Sequence, residues 1–287
     1  MDRLCRIFVL CAFSAAIAWP VVAASQRRPF YVAVTDSKGA PKAGITAADL
    51  VVEVNGKPAA VSSVASAAEP VSIVVVTEGI PREGISDIRK MMKAVVVGAQ
   101  AIHPDSRVGL MIQDGAAMPK MRTVTTDVQA LDAEIGRFFE SSRNAPLLDS
   151  ILTAAQTLQF EKHARRAIVA VTWGYQAESD VRSPTLVANA VRASGASLWV
   201  LDMGGRGASM EAAELRVLSD VTATSGGRRE RTTPQSITPL TERILATLRG
   251  QYAITLEDGI APKAASPKVT ARDKDLKVLA PAWPVLK

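Results

Sequence analysis

Two patterns of apolar residues divide the chain. In the first, short alternating stretches are separated by turn residues, as at residues 30–34 and 50–54. The second stretch runs into Asn55-Gly56, the strongest short hairpin signal, and residues 60–64 are predicted to return along it. The pattern predicts a small β module over residues 27–68.

In the second pattern, continuous apolar runs alternate with helical periodicity. Residues 71–76 and 167–172 are almost wholly apolar, as strands buried on both faces are. Helical segments with apolar residues three and four apart separate such runs. This alternation predicts an α/β fold over residues 69–257, a three-layer, doubly wound, mainly parallel sheet of the Rossmann-like kind preceded by the β module.

The ends of this region are less regular. A turn predicts an antiparallel edge strand over residues 118–124, and residues 252–256 are predicted as the final strand of the domain. Beyond them, residues 258–287 form a basic tail rich in Pro and Lys. We expect weak strands in the tail at residues 268–270 and 276–279.

The first residues have the composition of an export signal. Arg3 and Arg6 precede an apolar run over residues 7–18, and small residues lead up to Ser25. This arrangement predicts a signal peptide over residues 1–24, with an uncleaved membrane anchor as the alternative. We therefore expect an exported protein, periplasmic or extracellular, with no membrane insertion after cleavage.

Cysteine and charge exclude several classes of site. Cys5 and Cys11 both lie in the predicted signal, which excludes a disulfide framework, a cysteine nucleophile and cysteine-bound zinc in the mature chain. The net charge of +6 is scattered. Its one tight cluster, Arg228, Arg229 and Arg231, is interpreted as a solvated hairpin, because no stacking aromatics accompany it. An anion site there is the alternative, and no nucleic-acid partner is expected.

Several stretches resemble one family when they are taken together. Residues 34–39, 44–50 and 53–56 resemble the opening module of the exported bacterial VWFA-related family, which carries a von Willebrand factor type A (vWA) domain. Residues 225–228 resemble its "T-G-G-R" turn, and residues 249–252 its "R-x-Q-Y" ending. Each motif is short, but their order and spacing cover nearly the whole mature chain. The resemblance implies a vWA fold.

The resemblance also places a metal site, which this sequence does not preserve. In metal-binding vWA domains, D-x-S-x-S after the first strand, a Thr before the third helix and an Asp after the fourth strand hold Mg²⁺ or Ca²⁺ through oxygen ligands. The residues at the matching positions are Thr77, Gly79, Pro81, Ala145 and Trp173. Since most of these side chains offer no oxygen, we expect a degenerate metal-ion-dependent adhesion site with no metal and no cofactor.

The same loops are the predicted binding surface. In the vWA strand order the first and fourth strands are neighbours, and open α/β sheets bind ligands at such a switch point. Trp, Tyr and Arg are enriched at binding hot spots. The residues proposed to contact another protein are Glu78, Arg82, Arg143, Trp173 and Tyr175. The alternative for Trp173 is packing in the position of the lost metal.

No motif of a familiar enzyme is present. His103 and His163 are predicted on the surface, and the sequence contains no nucleophile elbow, zinc-protease motif or phosphate loop. We therefore expect a protein-binding module that is not an enzyme. The alternative is an envelope enzyme accessory, or a hydrolase using carboxylates at the strand ends such as Glu78, Asp114 or Asp202.

Export generates the first testable prediction. Protein recovered from its native host should begin near Ser25, because the small residues before it suit a signal peptidase. Mass spectrometry of the intact protein measures this directly. Recovery of full-length chain from the cytosol would contradict the prediction, and recovery from the membrane with Met1 retained would favour the uncleaved anchor.

Overall fold

Strands and helices alternate along most of the chain. The structure, a computed structural model, describes residues 29–77, 84–112, 120–137, 147–173, 184–204, 212–257 and 267–282. The strands are β1 (Phe30–Thr35), β2 (Leu50–Val54), β3 (Lys57–Pro58), β4 (Val61–Ser66), β5 (Val71–Thr77), β6 (Arg107–Ile112), β7 (Lys120–Met121), β8 (Arg165–Thr172), β9 (Ser197–Asp202), β10 (Arg228–Arg231), β11 (Gln251–Leu256), β12 (Pro267–Ala271) and β13 (Lys277–Leu279). The helices are α1 (Ile85–Ile102), α2 (Val128–Gly136), α3 (Leu147–Gln159), α4 (Pro184–Ser194), α5 (Ala212–Ser225) and α6 (Ile237–Arg249). In the ranges described, no helix combines the length and apolar character needed to cross a membrane.

The largest sheet has six strands in the order β10-β9-β8-β5-β6-β7. Its strands are parallel except β7, which pairs antiparallel with β6. Helices α1, α2 and α6 pack on one face, and α3, α4 and α5 on the other. The predicted three-layer α/β fold and its antiparallel edge strand are therefore confirmed.

Burial of both faces explains why the sequences of the central strands are continuous apolar runs. All seven residues of β5 are buried. Val71, Ile73 and Val75 belong to the core under α1 and α6, whereas Val74 and Val76 belong to the core under α3. Alternate residues of a strand point to opposite faces, so a strand covered on both sides needs apolar residues at nearly every position.

The prediction for the last strand of this sheet is wrong. Strand β11 lies in a separate antiparallel sheet of order β13-β1-β11-β4. Its residues alternate between half-buried and buried, as in a strand with only one covered face. Strand β4 pairs with β11, so residues 60–64 do not return along β2, which pairs with β3 and β12. The small sheets thus combine strands from both ends of the described chain.

The tail is part of the fold. Strands β12 and β13 form where weak strands are predicted, and pair with β2 and β1. The chain then passes α5, where the Ala282 amide donates to the Thr224 carbonyl over 2.8 Å. Gly226 has a positive φ of 78°, and a Cβ there would lie 3.0 Å from the Ala280 carbonyl carbon and the Pro281 nitrogen. The glycine-rich turn therefore permits this close approach of the tail.

Arg165 joins the large sheet to the antiparallel sheet. It begins β8, is only 2% exposed, and its guanidinium donates to the Gln251 side-chain oxygen over 3.1 Å. It also donates to the backbone carbonyl of Glu69 over 2.5 Å and to that of Leu248. The chain crosses between the two sheets twice, before β5 and after α6. Arg165 bonds to both crossings.

Tyr31 of β1 completes this junction. The Arg165 guanidinium carbon lies 5.8 Å from the centre of the Tyr31 ring, within range of a cation–π interaction. Burial, followed by the nearby Glu69 carboxylate, raises the pKa of Tyr31 to about 12. The phenol is therefore neutral at physiological pH, and its ring lies beside the Arg165 cation.

Replacing Arg165 should weaken the whole fold. We expect Arg165→Met to lower the free energy of unfolding by about 3–5 kcal/mol, because it leaves buried carbonyls without their charged donor. Denaturant unfolding followed by circular dichroism measures the change. Arg249→Met, at the exposed end of α6, is the matched control and should change stability by less than about 1 kcal/mol. Equal midpoints for the two variants would contradict this role.

Candidate functional site

The carboxyl ends of four neighbouring strands meet at one edge of the large sheet. Strand β5 ends at Thr77, which is in register with Val171 of β8. Thr172 of β8 pairs in turn with Asp202 of β9, which pairs with Arg231 of β10. The predicted adjacency of the first and fourth strands of this sheet is confirmed. This row of strand ends is here named the carboxyl edge.

Two of the predicted site residues lie in the described part of the chain, Thr77 and Trp173. The others lie outside the described residues; they are Glu78, Gly79, Pro81, Arg82, Arg143, Ala145 and Tyr175. Asp114 also lies outside them. The structure therefore tests the predictions for the ends of β5 and β8. The roles of the residues in the loops that follow remain predictions.

Trp173 is buried at this edge. It is 5% exposed and belongs to the core beneath α1, α2 and α6. The expectation that Trp173 presents an exposed aromatic ring to a partner is therefore wrong. Of the two alternatives, the structure supports packing. Burial of the large apolar indole surface against aliphatic side chains is favourable because it removes that surface from water.

The described residues of the carboxyl edge do not fit a Mg²⁺ or Ca²⁺ ion. Thr77 offers a neutral hydroxyl and is buried, and the Trp173 side chain has no oxygen. Both oxygens of Asp202 are engaged, Oδ2 by Arg229 Nη2 at 2.6 Å and Oδ1 by the Gly204 amide at 3.0 Å. Within the described ranges, no three His, Cys, Asp or Glu side chains cluster as metal ligands do.

The ion pair of Asp202 and Arg229 was not predicted. The sequence places Asp202 at a strand end and Arg229 in the basic cluster, but their pairing depends on β9 and β10 being parallel neighbours. The Asp202 side chain is almost completely buried and Arg229 is partly so. Because a short charged hydrogen bond is strong, this pair fixes the end of β9. The cluster is a parallel edge strand, so the prediction of a hairpin is wrong.

A second polar cluster occupies the opposite edge of the sheet. Ser72 Oγ lies 3.0 Å from His163 Nδ1 and 3.4 Å from Glu161 Oε2, and Arg107 Nη1 bonds the same Glu161 oxygen at 2.6 Å. His163 is buried, so its predicted surface position is wrong. Burial lowers the pKa of His163 below its usual range, which favours the neutral ring at pH 7.

This cluster has the residue types of a hydrolase but not their arrangement. In a nucleophilic triad the acid orients the histidine, and the serine is open to substrate. Here the Glu161 carboxylate lies against Ser72 and Arg107, and Ser72 is fully buried. The cluster instead satisfies buried polar groups at the start of β5.

The strand order is the one that the vWA resemblance implies, with the first and fourth strands of the large sheet adjacent. The fold is vWA-like. Neither a protein-family model nor a curated protein matches the chain.

Solved structures of low sequence identity are similar to it. The conserved hypothetical protein BatB from Bacteroides thetaiotaomicron is 13% identical over 61% of this chain and 97% of its own, with a TM-score of 0.45. A D319A mutant of the PilB minor pilin from Streptococcus sanguinis is 12% identical over 63% and 62%, with a TM-score of 0.43. Proximal thread matrix protein 1 from the mussel byssus, with a zinc-occupied MIDAS motif, is 10% identical over 66% and 48%, with a TM-score of 0.48. This chain thus spans less than two thirds of the pilin and of the mussel protein.

Burial of Trp173 predicts a structural effect of its removal. We expect Trp173→Ala to reduce the free energy of unfolding by roughly 3–5 kcal/mol, because it leaves a cavity in the core. Chemical denaturation measures the loss. Phe160→Ala is the matched control, since that ring is 86% exposed, and should cost little. If both variants unfold at the wild-type midpoint, Trp173 is not a core residue.

Proposed function

We propose that the chain is an exported, non-enzymatic protein-binding module of the cell envelope that binds its partner without a metal ion. The observation that carries the proposal is the core packing of Trp173 at the position where the vWA resemblance puts a metal-binding Asp. The fold is vWA-like, but the described end of β8 has apolar packing where the resemblance implies an oxygen ligand.

Metal independence is supported by the other described strand ends. A divalent cation of this kind needs several hard oxygens around it. Thr77 contributes at most one neutral oxygen, and Asp202 is already held by Arg229 and the Gly204 amide. Freeing Asp202 for a cation would leave the partly buried guanidinium of Arg229 without its carboxylate, which is costly.

The absence of enzymatic activity is proposed on similar grounds. General acid–base chemistry needs two titratable groups converging on a substrate pocket. Asp202 is engaged by its ion pair, and the buried Ser72–His163 contact lies at the opposite edge of the sheet. These described groups lack the exposure that a reacting residue requires.

The partner is proposed to be another protein that contacts the loops of the carboxyl edge. The candidates there are the residues predicted from sequence, apart from Trp173: Glu78, Arg82, Arg143 and Tyr175. Arg and Tyr are among the residue types that contribute most to protein interfaces. The ends of the buried strands β5 and β8 would supply a rigid base for these loops.

Capture from envelope extracts tests both parts of the proposal. The immobilised protein should retain the same partner in chelator as in millimolar Mg²⁺ or Ca²⁺, because no ion bridges the interface. Its melting curves with and without these ions should also superimpose, since a bound ion would stabilise the native state by mass action. Tyr175→Ala and Arg82→Ala should each reduce capture at least about tenfold.

The matched control is Phe160→Ala, which removes an exposed aromatic ring at the end of α3, away from the carboxyl edge. Its capture should equal that of the wild type. Loss of the partner in chelator, or a cation-dependent rise in melting temperature that Glu78→Gln removes, would refute metal independence. Equal capture by Tyr175→Ala, Arg82→Ala and Phe160→Ala would refute the carboxyl edge as the binding surface.

A further inference from the structure

A small cationic cleft lies between β1, the edge strand β10 and helix α6. Its empty volume is about 300 Å³, part of it open to solvent. Apolar side chains of Trp199, Ile244 and Leu279 line it together with polar groups. Its lining residues do not include the described strand ends of the carboxyl edge, and they do include Arg228, the first residue of the basic cluster seen in the sequence.

The charges in this cleft are unbalanced. Lys38, Arg228 and Arg243 line it together with one carboxylate, Glu230, so three positive charges against one negative leave a net charge of +2. Glu230 forms an ion pair with each guanidinium at 3.6 Å, a separation too long for a hydrogen bond. Within the described residues, the guanidinium donors of Arg228 and Arg243 therefore have no acceptor at hydrogen-bonding distance.

Thr35 lines the same cleft, and its buried hydroxyl is unsatisfied. Its side chain is 1% exposed, and its Oγ1 has no hydrogen-bond partner among the described residues. A buried hydroxyl without a partner costs free energy that an acceptor would recover. The Thr35 hydroxyl and the guanidinium donors that make no hydrogen bond would all be satisfied by one kind of ligand, one rich in acceptor oxygens.

The turn after β1 holds its part of the cleft in place. The amides of Lys38 and Ala40 both donate to Asp36 Oδ1, at 2.8 and 2.9 Å. Gly39 has a φ of +84°, and a Cβ at this position would lie 3.3 Å from Arg228 Nη1. Glycine thus allows the turn and the guanidinium to approach closely, which positions Lys38 and Arg228 before a ligand arrives.

We propose that this cleft binds a carboxylate group. The planar fork of a guanidinium matches two carboxylate oxygens, and a monoanion is repelled less by Glu230 than a doubly charged phosphate is. The source is an acidic side chain or the C-terminus of a protein partner. Only this source rests on the proposed function; the chemistry of the cleft stands without it.

Calorimetric titration of the purified protein, in the form recovered from its host, tests the proposal at constant low ionic strength. The probes are a capped, amidated alanine-based peptide with one Glu, the same peptide with Gln and a free C-terminal carboxylate, and inorganic phosphate. We expect at least one peptide to bind more tightly than phosphate. The tighter peptide identifies the source of the carboxylate.

Variants with opposite expected effects on affinity distinguish a role in binding from a role in stability. Arg243→Gln should weaken peptide binding about tenfold, whereas Glu230→Gln should tighten it severalfold by removing the competing carboxylate. Thr35→Val should weaken binding without lowering the melting temperature, because it removes a hydroxyl that is unsatisfied in the free protein. Arg249→Gln, an exposed arginine at the end of α6 outside the cleft, is the matched control and should bind as the wild type does.

Three outcomes would overturn the inference. They are no binding of either peptide, tighter binding of phosphate than of both peptides, and equal binding by Arg243→Gln and Arg249→Gln. Arg243 is exposed on the helix surface, so its replacement tests the site without risk to folding. None of these outcomes affects the capture experiment with the carboxyl-edge variants, so the two proposals fail separately.

Discussion

The buried guanidinium of Arg165 is the contact on which the arrangement of the sheets depends. A charge removed from water must be matched by acceptors, and here they are backbone carbonyls and a Gln side chain at the two places where the chain passes between sheets. One crossing leads into β5, the centre of the large sheet, and the other leads from α6 into β11. Because one rigid side chain bonds both, the packing of the antiparallel sheet is tied to the start of β8. Apolar burial stabilises each sheet, but the polar junction specifies how they are joined.

The two faces of the edge strand β10 have different roles. Successive residues of a strand point to opposite sides, so a run of arginines is divided between two environments. Arg229 pairs with Asp202 at the carboxyl edge, whereas Arg228 and Glu230 line the cleft against α6. Neighbouring arginines of one cluster therefore have different surroundings: Arg229 forms an ion pair at the carboxyl edge, and Arg228 lines the cleft beside Glu230. Charged side chains on this edge also oppose pairing with strands of other molecules.

The carboxyl edge owes its position to the sheet and not to the side chains that it carries. A parallel sheet brings its strand ends together whatever residues they carry. Here Thr77 and Trp173 are buried, and Asp202 is held within the protein. The proposed protein-binding role accordingly rests on the loops that follow these strands, and the cationic cleft is a separate proposal.

The sequence by itself determined the elements whose burial is uniform or strictly local. Continuous apolar runs identified β5 and β8 as doubly covered strands, and even the weak strands of the tail were predictable, because these signals reside within a few neighbouring residues. Tertiary structure alone decided the partners. The alternating residues of β11 are compatible with any sheet that is covered on one face. Only the pairing of β11 with β1 and β4 shows that it does not belong to the large sheet. The burial of Trp173 and His163 and the pairing of Asp202 with Arg229 depend on side chains distant in sequence. Local periodicity records that a face is covered but carries no information about which residues cover it.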